Sequence, residues 1–436
     1  MELLNSEAVQ RLEAWMTENG AEYSLAIASC GTSGGRALCV TRDVACGDVF
    51  LRIPRKLMLS AAVAQAAQNE LGQMLRTIPP EVFQETSDSI KNLYMVLFLM
   101  HERACGESSF WYPHLALQPS SFSSPLFYDD DEMEWLLGTP LHPLVLAIKQ
   151  ELAEIFDKVR AYAAEHHPTL LEWMNLDNFL WAVSVVDSRA FRLTIGDEDI
   201  TIIMPLVDMA NHQPEGVHFD RVYDAETEML NITYKGQQRV VKGSELQFQY
   251  SPLTNWQALQ YYGFAMDPNP HDSIEISFPP IQDADLEVDM KKQIFLSMFE
   301  DDFTLDHSIA WKRQESSSNL TVHLTDELLP SLRLMLMNKE ELEGVIVQNV
   351  VEVCSKMVSV RNETCVLEQT LNLLEAMLYS YPTSLEIDDE LLDQHHKTSS
   401  LTEKKLFALI YRRGQKQLIK AAFDDVQSRL DALESA

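Results

Sequence analysis

Pro205-Leu-Val-Asp208-Met-Ala-Asn211-His212 and Gly243-Ser-Glu-Leu-Gln-Phe-Gln-Tyr250-Ser-Pro-Leu-Thr-Asn255, followed by Tyr261-Tyr262-Gly263-Phe264, are the stretches around which the chain is organised. Leu246, Phe248 and Tyr250 alternate as in a strand, and Ser251-Pro252 ends it, because proline lacks the ladder N–H and fixes φ. Tyr250 is thus expected at a strand exit. Asp208, Asn211 and His212 follow the apolar run from Ile200 to Met204 and precede Gln213-Pro214, again a strand leaving for a turn. Taken singly, each pattern also fits a core tyrosine or an Asx turn. Together, at this separation, they point to a site.

Working outward, the 436 residues allow about three domains, and 46% hydrophobic content is enough for real cores. A formal charge of −32 sets the wrong sign for nucleic acid or an anionic membrane and suits a basic protein surface. The six cysteines form no C-x-x-C pair, so no metal cluster and no disulfide framework is expected. Reduced thiols imply a cytoplasmic location, with the nucleus as the alternative. No apolar run reaches the roughly eighteen residues of a membrane span.

Upstream, Val9, Leu12, Ala14 and Trp15 form a helical stripe. Leu38 and Val40, then Val49, Leu51 and Ile53, alternate on either side of Cys46-Gly47-Asp48 and read as a β-hairpin. Gly34-Gly35-Arg36-Ala37 precedes it, where absent side chains let backbone amides approach a ligand. From about 61 to 177 the pattern is helical, clearest at 90–100 and 144–164, and Phe110-Trp111-Tyr112-Pro113 within it reads as packing. Another helix, 176–186, leads into Ser188-Arg189-Ala190-Phe191. Strands are expected at 200–204 and at Leu230, Ile232 and Tyr234. After Pro279-Pro280 the pattern is helical, with Asn362 as an N-cap and a stripe at Phe407, Ile410, Gly414 and Leu418.

These residues carry a family resemblance. The whole chain resembles the Rubisco large-subunit methyltransferase-like SET-domain enzymes, from Gly34 through Ser188-Arg-Ala-Phe191, Asp208 to His212 and Tyr250 to Phe264, on to Tyr381-Pro-Thr-Ser and Tyr411-Arg-Arg-Gly. The resemblance implies an α+β fold: an N-terminal helix (1–20), a β-rich SET domain (21–280) with a pseudoknot and a helical insertion (about 61–177), and an all-α C-terminal substrate-binding domain (281–436). It implies S-adenosyl-L-methionine as co-substrate, no metal, a protein substrate and a monomer. Gly34, Gly35, Arg36, Arg189, Asp208, Asn211, His212, Tyr250 and Tyr262 would surround the donor, with Tyr250 at the transferring methyl. Ser188, Phe191, Asp208 and Tyr223 would line the acceptor channel. The chain departs from the family pattern at Gly34, where relatives commonly carry an acid, and in the loop after Tyr250, where many have glycine.

A sulfonium methyl moves by in-line displacement, which requires alignment and a dry channel more than a strong base. A lysine acceptor loses its proton more readily in an apolar slot. Phe191 favours lysine over histidine as acceptor, since a phenyl ring offers no hydrogen bond to an imidazole nitrogen. Histidine methylation on the same fold is the alternative, and an interaction scaffold without turnover is the rival from another class.

Overall fold

The computed structural model describes residues 3–29, 35–79, 82, 92–196, 198–217, 219–279, 281–313, 320–322 and 328–435. Gly34 lies outside them. Two compact units divide the chain: one comprises 1–127, 143–252 and 260–263, the other 128–142, 253–259 and 264–436.

Among the described residues the first unit holds ten short strands: β1 (Glu22–Tyr23), β2 (Leu25–Ser29), β3 (Arg36–Val40), β4 (Val49–Pro54), β5 (Leu59–Ser60), β6 (Phe191–Ile195), β7 (Glu198–Ile203), β8 (His212–Val217), β9 (Phe219–Asp224) and β10 (Met229–Tyr234). Nine of them form sheets ordered β1-β4-β10-β9, β5-β7-β6 and β2-β3, with every pairing in them antiparallel, and β8 stands outside these sheets. In β10 the period of two holds, as Leu230, Ile232 and Tyr234 are buried.

The expected hairpin across Gly47 does not form. β3 pairs with β2, whereas β4 pairs with β1 and β10. The connection between β3 and β4 is held by another segment instead: Val44 N–H donates to the Val240 carbonyl at 2.9 Å, and the Asp43 carboxylate accepts from Lys242 N–H at 2.7 Å. Gln213-Pro214 is likewise not a turn but lies within β8. The strand expected to end at Tyr250 is reduced to isolated bridges, at Glu245 with Cys39 and at Phe248 with His212.

Helices Leu93–Cys105 and Leu176–Arg189 bury nearly continuous apolar runs in the same core as the strands. The N-terminal helix, Glu7–Glu18, is capped by Ser6 and buries Val9, Leu12, Trp15 and Met16, while Ala14 is exposed. The i,i+4 spacing from Leu12 would have placed Met16 on that face.

The second unit is mainly helical. It also carries a three-stranded sheet, β11 (Ser273–Ser277), β12 (Asp306–Arg313) and β13 (Leu320–Val322), that the helical pattern did not show. Its long helices are Val360–Tyr379, Leu385–Thr398 and Glu403–Glu434. The first is capped by Ser359, not by Asn362, which is buried and donates to the Arg333 carbonyl at 3.0 Å. The last buries Leu418 of the expected stripe, but otherwise Ala408, Leu409, Tyr411, Arg412, Gln415 and Lys416, a face rotated by about one residue from Phe407, Ile410 and Gly414. Its two buried cations share one acid. Asp388 accepts from Arg412 at 2.6 and 3.1 Å and from Lys416 at 2.6 Å, and Lys416 also donates to the Thr383 carbonyl at 2.7 Å. Among the described residues no helix is long and apolar enough to cross a membrane.

Candidate active site

Asp208 and Asn211 reach the site from a turn that is tighter than the sequence suggested. Leu206 is buried at φ +69°, a left-handed value that leucine adopts at a cost of roughly 1–3 kcal/mol. A 3₁₀ turn, Val207–Met209, follows and delivers Asp208 inward.

The Asp208 side chain is fully buried. Its Oδ2 accepts from His114 Nε2 and Gln118 Nε2, each at 2.8 Å. Arg189, in the last turn of its helix, donates to the Asp208 carbonyl and stands 3.8 Å from Oδ2. Burial pushes the Asp208 carboxyl up, but His114, Arg189 and Gln118 outweigh it and hold it below the usual carboxylate range. In the described structure Asp208 is buried behind Arg189 and holds that guanidinium. Four buried atoms of this cluster find no hydrogen-bond partner among the described residues: Arg189 Nε, Asp208 Oδ1, His114 Nδ1 and Gln118 Oε1.

Asn211 ties three distant segments together. Its side-chain N–H groups donate to the Arg36 carbonyl at 3.1 Å and to Glu245 Oε1 at 2.8 Å, and its own carbonyl accepts from Phe248 N–H at 2.9 Å. Both amide hydrogens are thereby taken, which leaves Oδ1 as the group with which Asn211 can meet a ligand ammonium. Arg36 opens β3, with Gly35 exposed just before it. Burial and the neighbouring Arg189 lower the Arg36 pKa, partly offset by Asp208.

His212 accepts Tyr250 N–H on Nδ1 at 3.2 Å, and the two rings lie 5.0 Å apart. Tyr262 stands 5.0 Å from Tyr250 on its other contact. The Tyr250 hydroxyl donates to the Ala210 carbonyl, and burial drives its pKa well above the ordinary tyrosine value. Tyr250 is thus a neutral phenol whose oxygen can still accept a hydrogen bond. Burial, Asp187 and Tyr261 push Tyr262 up to about 12. Tyr262 ends a π-helical turn, Ala258–Tyr262, and Gly263 follows at φ +76°. A Cβ there would come within 2.8 Å of Ser124 N, so the glycine after this tyrosine is a steric requirement.

Of the residues expected at an acceptor channel, Ser188 donates back to the Ser184 carbonyl. Phe191 opens β6, half-buried, with the Arg221 guanidinium 5.5 Å from its ring centre. Tyr223 lies in β9 opposite Leu230, partly buried against the main core.

Sequence reasoning missed His114, Gln118, Glu245 and Asp187. His114 and Gln118 stand at i,i+4 just after Pro113, a spacing that places both on one helical face and is the one signal available. Asp187 directly precedes Ser188-Arg189, and burial pushes its carboxyl up to about 8. One group of metal-type side chains exists among the described residues, His101, Glu102 and Cys105. There His101 bonds Glu102 at 2.9 Å and Ser109 donates to Glu102 at 2.6 Å, which accounts for the cluster without an ion.

Residues 286–419 match the Rubisco LSMT substrate-binding family. Over 94% of its length the chain is 26% identical to an actin-histidine N-methyltransferase of Gallus gallus and 24% identical to that of Homo sapiens, covering 66% and 67% of those proteins. It spans about two thirds of the length of these relatives. The solved structure of Rubisco LSMT bound to sinefungin and monomethyllysine superposes with a TM-score of 0.77 at 20% identity, covering 99% of this chain and 94% of the other. Rubisco LSMT bound to AdoMet superposes at 0.74, with the same identity and coverage.

Proposed function

We propose that this chain, which has the SET-domain methyltransferase fold of Rubisco LSMT and carries a Rubisco LSMT substrate-binding domain over 286–419, is an S-adenosylmethionine-dependent protein methyltransferase acting on a lysine side-chain amine. The observation that carries the donor assignment is Arg189. It is held by Asp208, and its Nε–H is buried without an acceptor among the described residues. An unmatched buried guanidinium donor fits a carboxylate such as the donor's amino-acid end, because the fork geometry is complementary and the desolvation cost is already met. Asn211 Oδ1 would accept from the donor's ammonium, and Gly35, Arg36, His212 and Tyr262 would complete the pocket.

The donor supplies an electrophilic methyl on a sulfonium. The chain's own part is to align and dehydrate the acceptor. Tyr250, neutral and buried, offers its oxygen to an incoming N–H and its ring face to positive charge. Phe191 and Tyr223 would supply apolar walls that favour the uncharged amine. Phe191 is also the reason for lysine, since it presents no polar partner to an imidazole. The second reading, histidine, is favoured by the relatives that carry that activity. Both readings use the same donor site.

Radiolabelled donor incubated with a methylation-naive protein extract, followed by amino-acid analysis, separates them. Methyl-lysine is expected, and Tyr250→Phe should lower transfer at least about tenfold with donor affinity nearly unchanged. Methyl-histidine would overturn the acceptor. Absence of both label and donor binding would leave a scaffold.

A further inference from the structure

Helix Leu286–Met298 in the second unit is apolar on two opposite faces. Val288 and Phe295 enter a local core with Phe303, Leu334 and Met337. On the other side Leu286, Met290, Ile294 and Met298 are 77%, 64%, 51% and 54% exposed. Their spacing of four keeps them in one stripe that runs the whole length of the helix. Single exposed apolar residues are ordinary, but a continuous row of four large ones marks an interaction surface. Beside the stripe lies an open groove of about 380 Å³ lined by Leu296, Ser297, Phe303 and Met335.

The same helix ends in an unusual charge pattern. Its last turn has no basic residue, and Glu300, Asp301 and Asp302 follow it, all exposed. No basic side chain among the described residues pairs with them. Helix carbonyls already place partial negative charge at a C-terminus, so three carboxylates there repel it and one another. A cation brought by a partner would relieve both.

We propose that the outer face of helix 286–298 docks an amphipathic segment of the protein substrate, with its apolar side chains along the stripe and lysines or arginines over Glu300 to Asp302. This inference rests on the proposed methyltransferase activity and adds to it the surface and chemistry by which the substrate is held. The matched substrate-binding region begins at residue 286, where the helix itself begins. Two methionines in the row give the face the adaptability of binding surfaces that accept varied apolar partners.

The test uses the full chain and two probes. The double variant Met290→Ser/Ile294→Ser removes only exposed apolar groups, and Glu300→Lys/Asp301→Lys/Asp302→Lys reverses the charge. In the label-transfer assay on protein extract, the serine variant should lose about tenfold or more of transfer with donor affinity unchanged. Equal transfer by wild type and variant would overturn the proposal. A fluorescein-labelled eighteen-residue leucine–lysine helix should bind the wild type in a salt-sensitive way and bind both variants about tenfold more weakly. Equal affinity for all three proteins, or none for any, would also overturn it. A wild type that binds no donor would defeat the proposed activity, while the peptide titration still decides the docking face. Sedimentation completes the test: dimers dispersed by the serine variant would make a second copy the occupant and overturn the substrate assignment.

Discussion

Two buried aspartates, each set among cations or donors, show how the same chemistry can be closed or left open. In the second unit Asp388 is surrounded by Arg412, Lys416 and Thr383, which donates its hydroxyl at 2.9 Å, and both carboxylate oxygens are used. In the first unit Asp208 uses one oxygen for His114 and Gln118, while Oδ1 and Arg189 Nε are buried without partners among the described residues. A satisfied cluster fixes helices against each other. An unsatisfied one stores a desolvation cost that a matching ligand removes.

The largest expected effect tests the closed cluster. Asp388→Ala leaves two buried cations without their acid and should cost about 3–5 kcal/mol. Denaturant unfolding measures it, and hydrogen exchange should rise first across 385–434. A loss of donor affinity without destabilisation would erase the distinction between the two clusters.

Next comes Asp208→Asn, expected to cost about 1.5–3 kcal/mol through its charge-assisted hydrogen bonds. Because the Asp208 pKa is held below its unfolded value of 3.8, its contribution is complete above that value and fades as pH falls through the folded pKa. Unfolding midpoints should therefore separate wild type from variant at pH 6 and converge in acid. A constant separation down to pH 2 would mean that the Asp208 charge is not what matters.

Arg189→Ala should weaken donor binding by about 10- to 100-fold, or roughly 1.4–2.8 kcal/mol, with little change in stability. Calorimetric titration reads it directly, and unchanged affinity would remove Arg189 from the donor site.

The smallest effect belongs to Asp187. Its folded pKa of about 8 exceeds the unfolded 3.8, so the native state holds a proton that the unfolded chain releases, and stability falls as pH rises from about 4 to 8. Asp187→Asn keeps the neutral shape. It should match wild type below pH 4 and exceed it by about 1 kcal/mol at pH 8, well short of the limit of about 1.4 kcal/mol per pH unit because Asp187 is only half-buried and water screens its charge. A variant less stable at pH 8 would show that the ionised form is the native one.

What was legible in the sequence was local. The alternation at Leu230, Ile232 and Tyr234 follows from burial on one face, and the apolar run at 93–100 from burial nearly all round the helix, so the residue pattern shows both. Pairing was not legible: Leu38 and Leu51 alternate alike, yet their strands join different sheets, because residues 239–242 hold the connection between them. Ser359 and Asn362 are both good caps three residues apart, and burial against Arg333 decides between them. β12 did alternate, with His307 and Ile309 buried, but its polar residues hid it. At the candidate site, Arg189, Asn211, His212 and Tyr250 could be named from motif. The partners that hold Asp208 could not, since His114 lies 94 residues away and only the fold brings it there.

The central claim is that Arg189 is reserved for the donor's carboxylate. Affinities of S-adenosylmethionine and of its decarboxylated analogue for wild type and Arg189→Ala test it as a cycle. Wild type should prefer the carboxylated donor by about tenfold or more, with that preference largely lost in the variant. The same preference in both proteins would contradict the account.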